Sequence, residues 1–204
     1  MRMIALLAGL LLATPALAQQ RIDRPGPIAH EQAGATFTEQ VGDFRRASVT
    51  SFGPNGDNLS ASYNLVRSGQ RLLITIYIYP AARMAAAPAR SSRCQAEFDG
   101  ANQAVAQAQG GAQPLETGPA EAPAGVGPGL SHRSVFSLRT NFDGRVQDIR
   151  SEARLYCYVG GDWLVKYRIS SPQGMDVAAD IERFIAIGPW PGRAAAAEPD
   201  SVAP

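Results

Sequence analysis

The chain has 204 residues, 19 of them Lys or Arg and 18 Asp or Glu, for a formal charge of +1. A balance this near neutrality does not suggest a nucleic-acid or polyanion partner, and none is expected. Lys166 is the only lysine, which restricts Schiff-base or lysine-base chemistry to one position.

The first 18 residues follow the plan of a secretory signal peptide: a charge at Arg2, an apolar run from Ile4 to Leu12, and Ala16-Leu17-Ala18 as a small-x-small cleavage site. Cleavage after Ala18 leaves a mature chain that starts at Gln19, carries 18 basic and 18 acidic residues once Arg2 is gone, and is periplasmic or secreted. The apolar run is shorter than the roughly 20 residues that cross a bilayer, and no later segment approaches that length, so no membrane span is expected. Residues 19–40 are polar and interrupted by Pro25 and Pro27, which predicts a flexible N-terminal segment. Residues 191–204 are Ala- and Pro-rich without periodicity and predict a disordered tail, so a single domain spans 41–190.

Phe44 to Phe52 reads as a strand ended by Gly53-Pro54-Asn55-Gly56, and Ala61, Tyr63 and Leu65 alternate with polar residues in a second. After a reversal at Ser68-Gly69-Gln70, Leu72 to Tyr79 is apolar or aromatic on both faces, the pattern of a central strand covered on both sides. A helix is predicted from about Ser92 to Gln109, with Ser92 and Gln95 as a capping box, Gly110-Gly111 as the stop, and a buried stripe of Cys94, Phe98, Ala101, Val105 and Ala108. Residues 112–129 hold four prolines and read as a long surface loop with a short strand near Gln113 to Glu116, open to a role as binding rim or flap. Within it, Gly125-Val126-Gly127-Pro128-Gly129 lacks the Lys-Ser/Thr end and following helix of a phosphate loop and is read as a linker.

Leu130 to Arg139 is the next strand, and Asn141-Phe142-Asp143-Gly144 turns it into another. There Ile149, Ser151, Ala153, Leu155, Cys157 and Val159 are expected inward, with Asp148, Arg150, Glu152 and Arg154 outward. Gly160-Gly161-Asp162 then leads to Trp163 to Ser170, which points Trp163, Val165, Tyr167 and Ile169 inward and Lys166 and Arg168 outward. A last helix follows Asp176 with the stripe Ala178, Ile181, Phe184 and Ile185, ends at Gly188-Pro189, and leaves Trp190 against the domain edge.

These elements define an α+β fold: an antiparallel sheet of six or seven strands with two helices packed on it, in the manner of an α/β/α sandwich. The order, with the aromatic strand Leu72 to Tyr79 and the strand Asp162 to Arg168 leading into the final helix, resembles the PsbP-like fold from about Phe44 to Trp190. That resemblance implies a non-catalytic binding or assembly role and carries over no functional residue.

Cys94 and Cys157, an even pair in an exported chain, are expected to form one disulfide worth roughly 4 kcal/mol in the chain-entropy model. No Cys-x-x-Cys or His-Glu-x-x-His motif is present, and neither a metal nor a cofactor is expected. His30 falls in the polar lead and is expected to be solvated. His132 and Ser134 share a strand face and are the candidates for a hydrolase, although no Gly-x-Ser-x-Gly elbow exposes the serine. Asp176 with Asp180, and Asp148 with Glu152, are read as solvated carboxylates. Arg150 and Arg154, with Lys166 and Arg168 opposite, outline a charged sheet face suited to a partner. The expected function is an exported, soluble, non-enzymatic module that binds an envelope protein or small ligand; the alternative is a hydrolase-type enzyme using His132.

Overall fold

The computed structural model describes residues 19–82, 89–110, 112–123 and 130–192. The expected leader and the glycine-rich stretch 125–129 lie outside these residues, as does 193–204 of the expected tail. The strands in chain order are β1 (Gln20–Arg21), β2 (Ile28–His30), β3 (Ala35–Phe37), β4 (Gln40–Val41), β5 (Phe44–Ser51), β6 (Leu59–Arg67) and β7 (Gln70–Pro80). Helix α1 (Arg90–Ala108) precedes β8 (Glu116–Gly118), β9 (Ser131–Phe142), β10 (Arg145–Val159) and β11 (Trp163–Pro172), and α2 (Ala178–Ile187) closes the fold.

Among the described residues, nine strands form one antiparallel sheet in the order β1-β5-β6-β7-β11-β10-β9-β8, with β4 also on β5, while β2 and β3 pair separately. The six long strands are those the alternation predicts, and β7 lies at the centre beside β11. The count exceeds six or seven because β1, β4 and β8 are two or three residues long, too short to carry a period. Two-residue turns with both residues at positive φ, Ser68 (50°) with Gly69 (72°) and Asp143 (57°) with Gly144 (74°), join β6 to β7 and β9 to β10. Their twist matches the strands they connect.

The two helices cover opposite faces, as adjacent residues of β10 show. Tyr156 belongs to the cluster around Tyr63, Tyr167 and the α2 residues Ile181 and Phe184. Leu155 packs instead with Cys94 and Phe98 of α1 and with Leu164. On the α2 side Phe184 meets Phe44, Tyr63 and Tyr167 at ring-centroid distances of 4.8, 5.2 and 6.3 Å, edge to face. Such pairs add about 0.5–1.5 kcal/mol each to the burial of apolar area.

The structure corrects the reading of 19–40 as a flexible lead. Ile28, His30, Ala35 and Phe37 are buried on the α2 face. The Arg46 guanidinium gathers the carbonyls of Phe37, Gly26 (2.8 Å) and Arg24 (3.3 Å), so the segment is fastened by long-range bonds that a local pattern does not announce. At the other end Trp190 is buried, donates from its indole N–H to the Ile185 carbonyl at 2.8 Å, and packs on Tyr156 and Tyr167. The Gly192 amide bonds to the Ala33 carbonyl at 2.9 Å, so the ordered chain runs past 190.

Two further expectations about α1 change. Ala89 is its N-cap and no side chain caps it, so Ser92 lies inside the first turn and forms no capping box. The buried stripe shortens to Cys94 and Phe98. β8 falls just after the predicted Gln113 to Glu116 and pairs with β9 at Val135, Ser134 and Arg133.

Candidate functional site

The expected disulfide is present: Cys94 and Cys157 are bonded, with Cα atoms 5.9 Å apart, tying the second turn of α1 to the end of β10. One residue later, Tyr158 takes φ 59° and the register against β11 shifts between Cys157 and Val159. A one-residue slip exchanges the faces of everything on one side of it. Val159 therefore joins the α2-side cluster rather than sharing a face with Cys157.

The same slip divides the four basic residues expected on one partner-binding face. Lys166 is opposite Leu155 and Arg168 opposite Ala153, on the α1 side, whereas Arg154 is opposite Tyr167 and Arg150 opposite Ser171, on the α2 side. Nor do Glu152 and Arg154 form a solvent-facing ladder, because both are buried. Glu152 accepts hydrogen bonds from Arg133 Nε (2.8 Å) and Nη2 (3.1 Å), from Arg154 Nε (2.6 Å) and, more distantly, from Arg150 Nη2 (3.4 Å). Arg154 reaches on to Glu182 of α2 with two parallel bonds of 3.1 and 2.6 Å. Burial alone would raise the Glu152 pKa, but the bonds from Arg133 and Arg154 outweigh it and hold the carboxyl below its ordinary value. This network walls a cleft of about 390 Å³ beside the start of α2. Its cations are already neutralised by Glu152, Glu182 and Glu116, which leaves little charge for a ligand.

The two histidines lie in separate surroundings. His30, expected in solvent, is fully buried: its Nδ1 accepts from the Ala33 amide at 3.3 Å, which places the proton on Nε2, 3.3 Å from the Ile78 carbonyl. The ring stands edge-on to Trp163 at 5.0 Å, and burial lowers its pKa. His132 stacks on Phe98 at 5.1 Å with its pKa lowered by burial. Ser134 is fully buried, and its hydroxyl donates to Asn102 Oδ1 at 2.7 Å. Among the described residues no hydrogen bond joins His132 to Ser134, and the His132 Nε2 has no partner. Asp180, expected to be solvated, is buried and pairs with Arg67 at 2.8 Å.

A second concavity lies on the α1 face. Beyond Phe98 the helix presents Ala101, Ala104, Val105 and Ala108, and between these residues and Phe136 of β9 is a groove of about 190 Å³. Lys166 and Arg168 of β11 line the same space. The Lys166 ammonium lies 4.9 Å from the Tyr77 ring centroid and 5.5 Å from that of Tyr79. Among the described residues neither Lys166 nor Arg168 has an ion-pair partner. Burial lowers the Lys166 pKa, Glu97 opposes this and Arg168 adds to it. Glu97 is itself held by the Tyr79 hydroxyl at 2.9 Å, and that phenol is pushed up by burial and by the carboxylate.

No family model, curated protein or solved structure matches this chain. The site is therefore read from its geometry alone. The sequence singled out Lys166 and Arg168 as part of a charged face with Arg150 and Arg154, and not their place beside this groove. The signal for Tyr77 and Tyr79 was the Ile-Tyr-Ile-Tyr alternation of the central strand, which sends both tyrosines to one face. The signal for the groove was the alanine content of the second half of α1, where a normal core stripe would carry larger side chains.

Proposed function

We propose that this chain is an exported, soluble, non-enzymatic binding module of the cell envelope, and that the groove beneath the second half of α1 receives a small ligand. One observation carries the reading. α1 is bonded at Cys94 and buried at Phe98, and then faces the sheet with alanines that leave an apolar-walled space open beside two cations that have no ion-pair partner among the described residues. Export is supported by the leader pattern and by the disulfide, which suits an oxidising compartment. Among the described residues no helix is long and apolar enough to cross a membrane. Binding rather than turnover is supported by the commitment of the Ser134 hydroxyl to Asn102. A small ligand is favoured over an envelope protein because the charged side chains that would form a broad docking face are split between the two sides of the sheet.

The test is native mass spectrometry of the protein recovered from the envelope fraction of its host, beside an Ala104→Phe variant that fills the groove from an exposed helix position. The wild type is expected to carry a small-molecule adduct on a chain that starts at Gln19, and the variant to fly bare. An adduct retained by Ala104→Phe, or a wild type of bare mass, sinks the site; an intact Met1 sinks the export.

A further inference from the structure

Granting that the α1 groove is the ligand site, its charge and size narrow what it takes. We infer that the occupant is a monoanionic carboxylate with a short aliphatic body, its head on Lys166 and Arg168 and its chain against Ala101, Val105 and Phe136.

The head group follows from the charges that face the groove. Lys166 and Arg168 supply two cations on β11, and among the described residues Glu97 of α1 is the carboxylate that acts on Lys166. The uncharged Tyr77 and Tyr79 of β7 complete the surround. The local sum is one positive charge, which a single carboxylate neutralises and a dianion overshoots. A lysine ammonium has three donors, and among the described residues Lys166 meets only ring faces, so acceptor oxygens complete its shell without displacing an existing bond. The two aromatic contacts favour the charged ammonium through the negative ring faces. They hold the cation in place for an incoming anion.

The body follows from the walls. Phe136, Val105, Ala153 and the alanine side of α1 offer apolar carbon, and the polar groups beside them, the hydroxyls of Ser151 and Tyr77 and the two cations, are too few for the many hydroxyls of a polyol or sugar. At about 190 Å³ the groove falls below the roughly 300–1,000 Å³ of sites for drug-sized molecules, so a short chain fits and a bulky ring system does not. The larger cleft beside α2 is a poorer host for an anion, because every arginine in it already faces a carboxylate.

A single lysine makes the test direct. Mature protein labelled with carbon-13 and nitrogen-15 lysine gives one side-chain signal, that of Lys166, to be followed while octanoate, octanol, octylammonium or a short peptide ending in a free leucine carboxylate is added. Octanoate is expected to produce a saturable shift and to move the ammonium titration to higher pH, since a nearby carboxylate favours the charged form. Octanol and octylammonium are expected to bind at least about tenfold more weakly. Arg168→Gln, at an exposed position, is expected to weaken octanoate several-fold and leave octanol unchanged. Octanol binding as well as octanoate overturns the inference and leaves the groove standing as a site. A shift with the peptide and none with octanoate overturns the inference in favour of a protein terminus. A Lys166 signal that no ligand moves overturns both the inference and the groove.

Discussion

Glu152→Gln removes one charge from the middle of the sheet, and its cost can be worked from the bonds it leaves behind. Glu152 and Arg154 side chains are 4% and 6% exposed, whereas Arg133 and Arg150 are 28% and 39% exposed. Arg133 retains Glu116 and Arg150 reaches water, so Arg154 alone is stranded, and it retains Glu182. Removing one partner of a buried ion pair costs about 3–5 kcal/mol, and the surviving Glu182 bonds place this case near the lower end, at about 3 kcal/mol. For a domain of this size that is a fall in Tm of roughly 6–12 °C. Urea unfolding at pH 7, with the exposed pair partner Asp148→Asn as a control near zero, measures it. The folded pKa of Glu152 lies below its unfolded value, so its contribution is complete above about pH 4.5 and is lost as the pH falls through the folded pKa. The gap between wild type and Glu152→Gln should therefore close in acid. A loss below about 1 kcal/mol at pH 7, or a gap that widens in acid, refutes the assignment of Glu152 as a buried ionised hub.

The Cys94–Cys157 bond closes a separation of 63 residues, for which the chain-entropy model gives about 4 kcal/mol. Reduced protein or Cys157→Ser should unfold at clearly lower urea concentration, and superimposable curves, or two titratable thiols in the unfolded unreduced protein, would contradict the bridge. His30 is held neutral by burial, so its folded pKa is below its unfolded value of about 6.5. Its stability contribution is present above that pH and declines below it, by at most about 1.4 kcal/mol per pH unit. Wild type should lose more stability than His30→Gln between pH 7 and 5, and parallel profiles would show that His30 is protonated without penalty.

The regular part of this fold was legible because burial and period coincide in it. The central strand, the turns at Ser68-Gly69 and Asp143-Gly144, and the disulfide each follow from local residue pattern or compartment. Residues 19–40 were not legible, because their order comes from Arg46 bonding carbonyls up to 22 positions away and from side chains such as Phe37 buried beneath a neighbouring element. The alternation Arg150, Glu152, Arg154 looks like a wetted face, and only the placement of α2 and Glu182 above it turns it inward. The face of Lys166 relative to Arg154 depends on one residue. Without the slip at Tyr158, Arg154 would stand opposite Arg168, and the four cations would share a side as the alternation suggests. No turn-forming residue marks Tyr158, whose positive φ an aromatic side chain seldom adopts.

The single covalent tie at one end of α1 gives the helix the mechanics of a lever. Cys94 is the pivot, and Ala108 lies about 21 Å along the axis from it at roughly 1.5 Å per residue, so a tilt of about 5° at the pivot carries the far end about 2 Å. Motion near the buried Phe98 is small and is resisted by packing, while the alanines nearer the far end travel further. Asn102, held by the Ser134 hydroxyl at 2.7 Å, and Val105, packed on the Phe136 cluster, are the restraints that remain along that arm, so cutting the sulfur-sulfur bond frees the fulcrum and leaves those two contacts to hold the groove.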